Sequence, residues 1–228
     1  MEFNLVQSIA IYALPVIFAI TLHEAAHGYV ARYFGDNTAF TLGRVSLNPL
    51  RHIDMVGTIV IPLAILVVSK LFGGAGILFG WAKPVPVNFH ALRHPKRDML
   101  WVAAAGPAAN LIMAIGWALL MKAGQTLPQS MFSLPTSLMA EAGITVNIVL
   151  MVLNLLPILP LDGGRVVVSL LPGPLAGGFA RLEPFGLPIL LGLVVISSYG
   201  YNILGMFLEP VMVASKSVIA TLFQLHSI

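Results

Sequence analysis

No cysteine occurs in the 228 residues, so neither a disulfide framework nor a thiolate metal site is open to this chain. Any metal must be held by His, Asp or Glu. Charge is almost as scarce. Asp, Glu, Lys and Arg together make up 9% of the sequence, where a soluble globular domain carries roughly 25%. A chain so poor in charge keeps most of its surface away from water. What fills the space is apolar: 58% of the residues are hydrophobic and the mean hydropathy is +0.92, which points to a multispanning membrane protein. Nor does the N-terminus read as a cleavable signal peptide. Met1-Glu2 supplies no positive n-region and no small-residue cleavage site follows the apolar stretch, so the first apolar segment is expected to remain as a span. The net charge of +3 comes from Lys and Arg scattered over loops, a pattern that suits membrane orientation and argues against nucleic-acid binding.

A span needs about 20 mostly apolar residues. Phe3 to Leu22 carries no charge, and its helical pattern runs on through His23–His27 to about Tyr33. Further apolar runs cover Met55 to Ser69, Met99 to Met121, Ala142 to Leu161 and Pro184 to Leu208, the last closed by Glu209-Pro210. The tail from Val211 to Ile228 is mildly amphipathic and is expected to lie on the membrane surface. Two regions fit no simple helix. Thr38 to Leu47 is rich in β-branched residues and reads as one or two short strands. Gly73 to Asn88 is apolar, then Pro-interrupted and extended. Irregular backbone at membrane depth is tolerated only where protein buries it or water lines it. The expected fold is therefore an all-α polytopic membrane protein of about five to six transmembrane helices with a small membrane-associated β element. It forms one domain over residues 1–228, with no internal repeat. Arg32, Arg44 and Arg51 follow the first helix, and Arg93, Lys96 and Arg97 precede the third span. Both loops are expected on the cytoplasmic side, with the N-terminus outside.

His23-Glu24-Ala25-Ala26-His27 has the His-Glu-x-x-His pattern. Residues four apart share a helix face, so both imidazoles can bind one zinc ion, and Glu24 sits where it can take a proton from a zinc-activated water. An acidic side chain in an apolar helix costs roughly 2.5 kcal/mol or more on insertion scales, so three ionisable groups within one turn call for a compensating ligand. The alternative is a set of buried, hydrogen-bonded polar residues. A catalytic zinc normally takes a third protein ligand. Glu141 is remote, and Asp36, Asp54 and Asp98 lie in loops among charged neighbours, where they are expected to be solvated. His52, His90 and His94, each near an Arg, are expected at the interface. Asp162 differs. Pro157 and Pro160 break the apolar run before it, and Gly163-Gly164 frees the backbone after it. A carboxylate in that gap is the best candidate for the third ligand.

Here the chain resembles the site-2 protease family of intramembrane metalloproteases. The resemblance rests on His23-Glu24-x-x-His27 and on Asn154-x-x-Pro157-x-x-Pro160-Leu161-Asp162-Gly163. Phe34-Gly35-Asp36, Lys83-Pro84-Val85-Pro86-Val87-Asn88 and Gly106-Pro107-Ala108-Ala109-Asn110 support it. It covers about residues 20 to 168, and the length suggests a short, core-only branch without PDZ or CBS domains. The resemblance implies zinc held by His23, His27 and Asp162, with Glu24 as general base. It implies that Asn154 holds the substrate backbone or the oxyanion; an interhelical hydrogen bond is the other reading. Asn110 either approaches the same site or packs among small residues, and Asn147 is expected to be structural. The Lys83–Asn88 stretch, with Lys83, Val85 and Val87, is similar to a family element that pairs with an extended substrate strand. The implied activity is proteolysis of transmembrane protein or peptide substrates in the lipid bilayer. The expected setting is a prokaryotic inner membrane, with the active site toward the cytoplasm. A membrane transporter, or a catalytically silent scaffold with a zinc site, is the alternative.

Overall fold

A computed structural model of the chain describes residues 4–61, 63–64, 67, 80–126, 133–198 and 201–225. Helix α1 runs Leu5–Tyr33. Its first turn is closed by a capping box: the Asn4 side chain accepts the Gln7 N–H at 2.9 Å, and the Gln7 side chain accepts the Asn4 N–H at 3.0 Å. Twenty-nine residues rise about 43 Å, more than the roughly 30 Å of hydrocarbon. Gly35, at φ +109°, turns the chain beyond the helix end in a conformation that only glycine adopts freely. The Phe34 carbonyl then accepts the Arg93 N–H at 3.0 Å, so both basic loops meet at this end of α1.

The strands expected over Thr38–Leu47 do not form, and no strand occurs among the described residues. Thr38–Thr41 is a short helix, α2. The Asp36 carboxylate accepts the Thr38 N–H at 2.9 Å, and the Thr41 hydroxyl donates back to the Asn37 and Thr38 carbonyls. These local bonds satisfy the backbone, so the β-branched residues never need a partner strand. Burial also departs from expectation. Asp36, Asp98 and His52 are 1%, 1% and 2% exposed, and each has work inside the loops. Asp36 also accepts the Asn88 N–H at 2.6 Å, Asp98 accepts the His94 N–H at 2.7 Å, and the His52 ring donates from Nε2 to the Ser46 carbonyl at 2.8 Å.

The segment expected as a second span begins as a π-helical turn, Met55–Val60, with the Asp54 side chain accepting the Gly57 N–H. Residues 68–79, which include the Gly73–Phe79 half of the irregular Gly73–Asn88 stretch, lie outside the described residues. Gly80–Asn88 has neither helix nor strand. Helix α3, Pro95–Thr126, contains the third expected span. Helix α4, Ser133–Asn154, begins earlier than the apolar run and stops at Asn154, because Pro157 and Pro160 cannot continue it. Residues 155–161 are irregular and lead into α5, Asp162–Leu170. Helices α6, Gly173–Ala180, and α7, Glu183–Ser198, form a pair bent by 55°. The last helix, α8, runs Ile203–Phe223. Glu209-Pro210 therefore sits inside a helix instead of closing one, and most of the expected surface tail belongs to a candidate span. The Asn202 side chain caps the Gly205 N–H at 3.1 Å and donates to Glu209 at 2.9 Å.

Among the described residues four helices (α1, α3, α4 and α8) are long and apolar enough to cross a membrane, or five if the bent α6–α7 pair counts as one. The chain is an all-α polytopic membrane protein. Small residues on α3 and α4 (Ala114, Ala118, Ala140) are fully buried beside Ile144 and Ile148. Their size lets backbones approach closely, which is what holds helices together where lipid removes the hydrophobic drive. Helices α1, α3 and α4 pack on one another, and α5 packs on α3. The site lies where these four meet.

Candidate metal centre

His23 and His27 lie one turn apart on α1, and the irregular stretch after α4 brings Asp162 to them at the start of α5. His23 Nε2 and His27 Nε2 are 3.1 Å apart. Asp162 Oδ2 lies 3.2 Å from the first and 3.3 Å from the second. Ligands about 2.0–2.1 Å from a tetrahedral zinc stand about 3.3 Å from one another. The triangle matches one face of such a tetrahedron. Among the described residues this is the group of His, Asp or Glu side chains that converges in this way.

The surrounding hydrogen bonds fix which atoms face the centre of that triangle. His23 Nδ1 stands 2.6 Å from the Asn110 Oδ1, and His27 Nδ1 stands 2.7 Å from the Val102 carbonyl. Both partners are acceptors, so each Nδ1 carries the proton and each Nε2 presents a lone pair. Asp162 Oδ2 is buried and accepts no hydrogen bond. Two bare imidazole nitrogens and an unpaired carboxylate oxygen, all buried within 3.3 Å, would be a costly cluster without a cation between them. The donor set fits zinc.

Two glycines make the cradle possible. A Cβ at Gly106 would overlap His27 Nε2 and the His23 ring. One at Gly163 would overlap the Leu155 carbonyl, because the first turn of α5 packs directly on the end of α4. Gly106→Ala is therefore expected to weaken zinc binding by about 10- to 100-fold, measured by competition with a chromogenic chelator.

Asn110 does more than pack. Its Nδ2 donates to Asn147 Oδ1 at 2.9 Å and to the Ala19 carbonyl at 3.2 Å, while Asn147 donates to the Gly143 carbonyl at 2.8 Å. This network orients the Asn110 amide so that its oxygen faces His23. Removing that oxygen in Asn110→Leu is expected to cost about 10- to 100-fold in zinc affinity, read by the same competition. Asn154 turns back on its own helix, donating to the Leu150 carbonyl at 2.9 Å. Glu24 Oε2 accepts the Val85 N–H at 2.7 Å. The Lys83 N–H donates to the His52 carbonyl at 2.8 Å, and Lys83's own carbonyl accepts from Arg44 at 2.9 Å. Among the described residues the Val87 N–H donates no hydrogen bond. Two contributors escaped sequence reasoning. The Val102 carbonyl carries no side-chain signal at all, and the role of Asn147 shows only once Asn110 is seen beside it.

The sequence is 37% identical over 213 residues to "Putative zinc metalloprotease YwhC" of Bacillus subtilis, covering 92% of this chain and 89% of that protein. It is 31% identical over 147 residues to "Putative zinc metalloprotease Rip2" of Mycolicibacterium smegmatis, covering 64% of this chain and 52% of that protein. Rip2 of Mycobacterium tuberculosis is 28% identical over 179 residues, with 77% and 62% covered. No family model and no solved structure matches the chain.

Proposed function

We propose that this chain, which belongs to the family of zinc metalloproteases that includes YwhC, cuts peptide bonds within or near the transmembrane segments of membrane proteins, in the manner of a site-2 protease. The observation that carries the reading is the His23–His27–Asp162 triangle, built where helices long and apolar enough to cross a bilayer meet. Bound there, zinc supplies Lewis acidity to the scissile carbonyl and lowers the pKa of water to about 7.

The residues of the chain then divide the remaining tasks. His23, His27 and Asp162 hold the metal, and Asn110 and the Val102 carbonyl keep the two rings aimed at it. Glu24 removes a proton from the attacking water and returns it to the leaving amine. The substrate segment must be locally unwound, since a helix protects its own carbonyls. An extended substrate lying along Lys83–Asn88 would gain main-chain hydrogen bonds by strand addition. Val87, whose N–H donates no hydrogen bond among the described residues, is the residue of that stretch best placed to pair with it. Asn154 is the side-chain candidate for the substrate backbone, once its bond to Leu150 is exchanged.

The basic loops meeting at the C-terminal end of α1 support an orientation with the site toward the cytoplasm of a bacterial inner membrane. A single-span reporter protein reconstituted with the purified enzyme tests the activity. Cleavage is expected to stop after treatment with 1,10-phenanthroline and to return on adding stoichiometric zinc. Cleavage that persists after the metal is removed would show that the proteolysis belongs to something else.

A further inference from the structure

Glu24 follows His23 directly, about 100° further round the helix, so the contacts that hold the imidazoles do not hold its carboxylate. A glutamate has three rotatable bonds before its oxygens, and a general base displaced by about 1 Å can lose about a hundredfold in rate. We propose that the main-chain N–H of Val85 is the positioning group for the Glu24 carboxylate, so that residues 83–88 act as a strap orienting the general base. The inference rests on the reading of Glu24 as that base.

The strap is built for one donor. Glu24 Oε2 accepts the Val85 N–H at 2.7 Å. Pro84 and Pro86 flank it and have no N–H, so Val85 supplies the single main-chain donor of the three residues. Among the described residues Glu24 Oε1 accepts nothing, which leaves it as the oxygen free to take a proton from water. Val85 is itself buried, at 7% exposure, and its side chain packs on α1 at Gly28, one turn beyond Glu24.

Both ends of the strap are tied to the loop after α1. The Lys83 N–H donates to the His52 carbonyl at 2.8 Å, and Arg44 Nη2 donates to the carbonyls of Lys83 at 2.9 Å and Pro84 at 3.4 Å. At the far end the Asn88 N–H donates to buried Asp36 at 2.6 Å. The buried polar residues of that loop thereby fix the height of Val85 over α1. They act on Glu24 through the strap.

Pro84-Val85-Pro86 contains a single exchangeable amide, so hydrogen exchange can read this bond alone. In the zinc-loaded protein in detergent–phospholipid micelles, Glu24→Ala is expected to speed Val85 amide exchange by about tenfold or more. The Asn88 amide, tied to Asp36, should not change. On a single-span reporter, Val85→Pro, which removes the N–H in a backbone already shaped by prolines, is expected to lower kcat by about a hundredfold. KM and zinc content should stay as in the wild type. Val85→Ala, which keeps the N–H, should recover most of that loss. Val85 exchange indifferent to Glu24→Ala, or Val85→Pro turning over like the wild type, overturns the proposal. Should Val85→Pro lose its zinc through misfolding, the exchange comparison decides alone. Full activity in Glu24→Gln would instead remove the underlying reading of Glu24 and leave the exchange result standing.

Discussion

Glu24→Gln is expected to retain one zinc per chain while losing proteolysis by about a hundredfold to ten-thousandfold, the range that a positioned general base contributes. The separation of the two effects follows from the geometry. The atoms that converge as a candidate metal site are His23 Nε2, His27 Nε2 and Asp162 Oδ2, and Glu24 is not one of them. Its oxygen is engaged by Val85 on another side of α1. Glutamine keeps the shape and a carbonyl acceptor for the Val85 N–H, so the fold and the strap should survive. What it cannot do is accept a proton from water and pass it on. Elemental analysis and reporter cleavage on the same purified sample check both halves. Loss of zinc together with activity would place Glu24 among the ligands.

Asp162→Ala is expected to have the opposite signature: zinc falls from one per chain to near zero, and activity goes with it. Two neutral imidazoles do not make a catalytic zinc site, which normally takes three protein ligands. The alanine also removes the carboxylate that offsets the positive charge of the ion at a buried position, 8% exposed. The backbone there has little reason to move, because α5 is seated by Gly163 and Gly164 packing on residues 155–159. Circular dichroism should therefore show native helix content in a metal-free protein. Asp162→Ala that keeps stoichiometric zinc and cleaves the reporter would place the third ligand elsewhere.

How much of this was legible beforehand depended on whether a signal was carried by side chains at fixed spacing. His23 and His27 were legible because four residues make about one helical turn, and Asp162 because two prolines and two glycines place a carboxylate at a break in an apolar run. The support for the histidines was not. Val102 contributes a carbonyl that any residue would offer, and Asn110 and Asn147 look like any pair of membrane asparagines until their helices are packed together. Thr38–Leu47 misled because β-branched residues favour strands only when there is a sheet to join, and here the Asp36 carboxylate accepts the Thr38 N–H at the start of a short helix instead. Asp36 and Asp98 read as solvated and His52 as interfacial from their charged neighbours, yet loop backbone needing partners drew all three inside. Glu209-Pro210 looked like a stop. A proline mid-helix removes one donor, and α8 continues past it, with Glu209 accepting from Asn202.

The central claim is that a zinc site carried by membrane-crossing helices cuts its substrate inside the membrane. Mass spectrometry of reporter fragments, produced by the wild-type enzyme in lipid nanodiscs, tests it most directly. The account predicts a new terminus within the apolar segment of the reporter, absent with Glu24→Gln and absent after zinc is stripped. Cuts confined to the water-exposed flanks, or the same terminus appearing with Glu24→Gln, would contradict it.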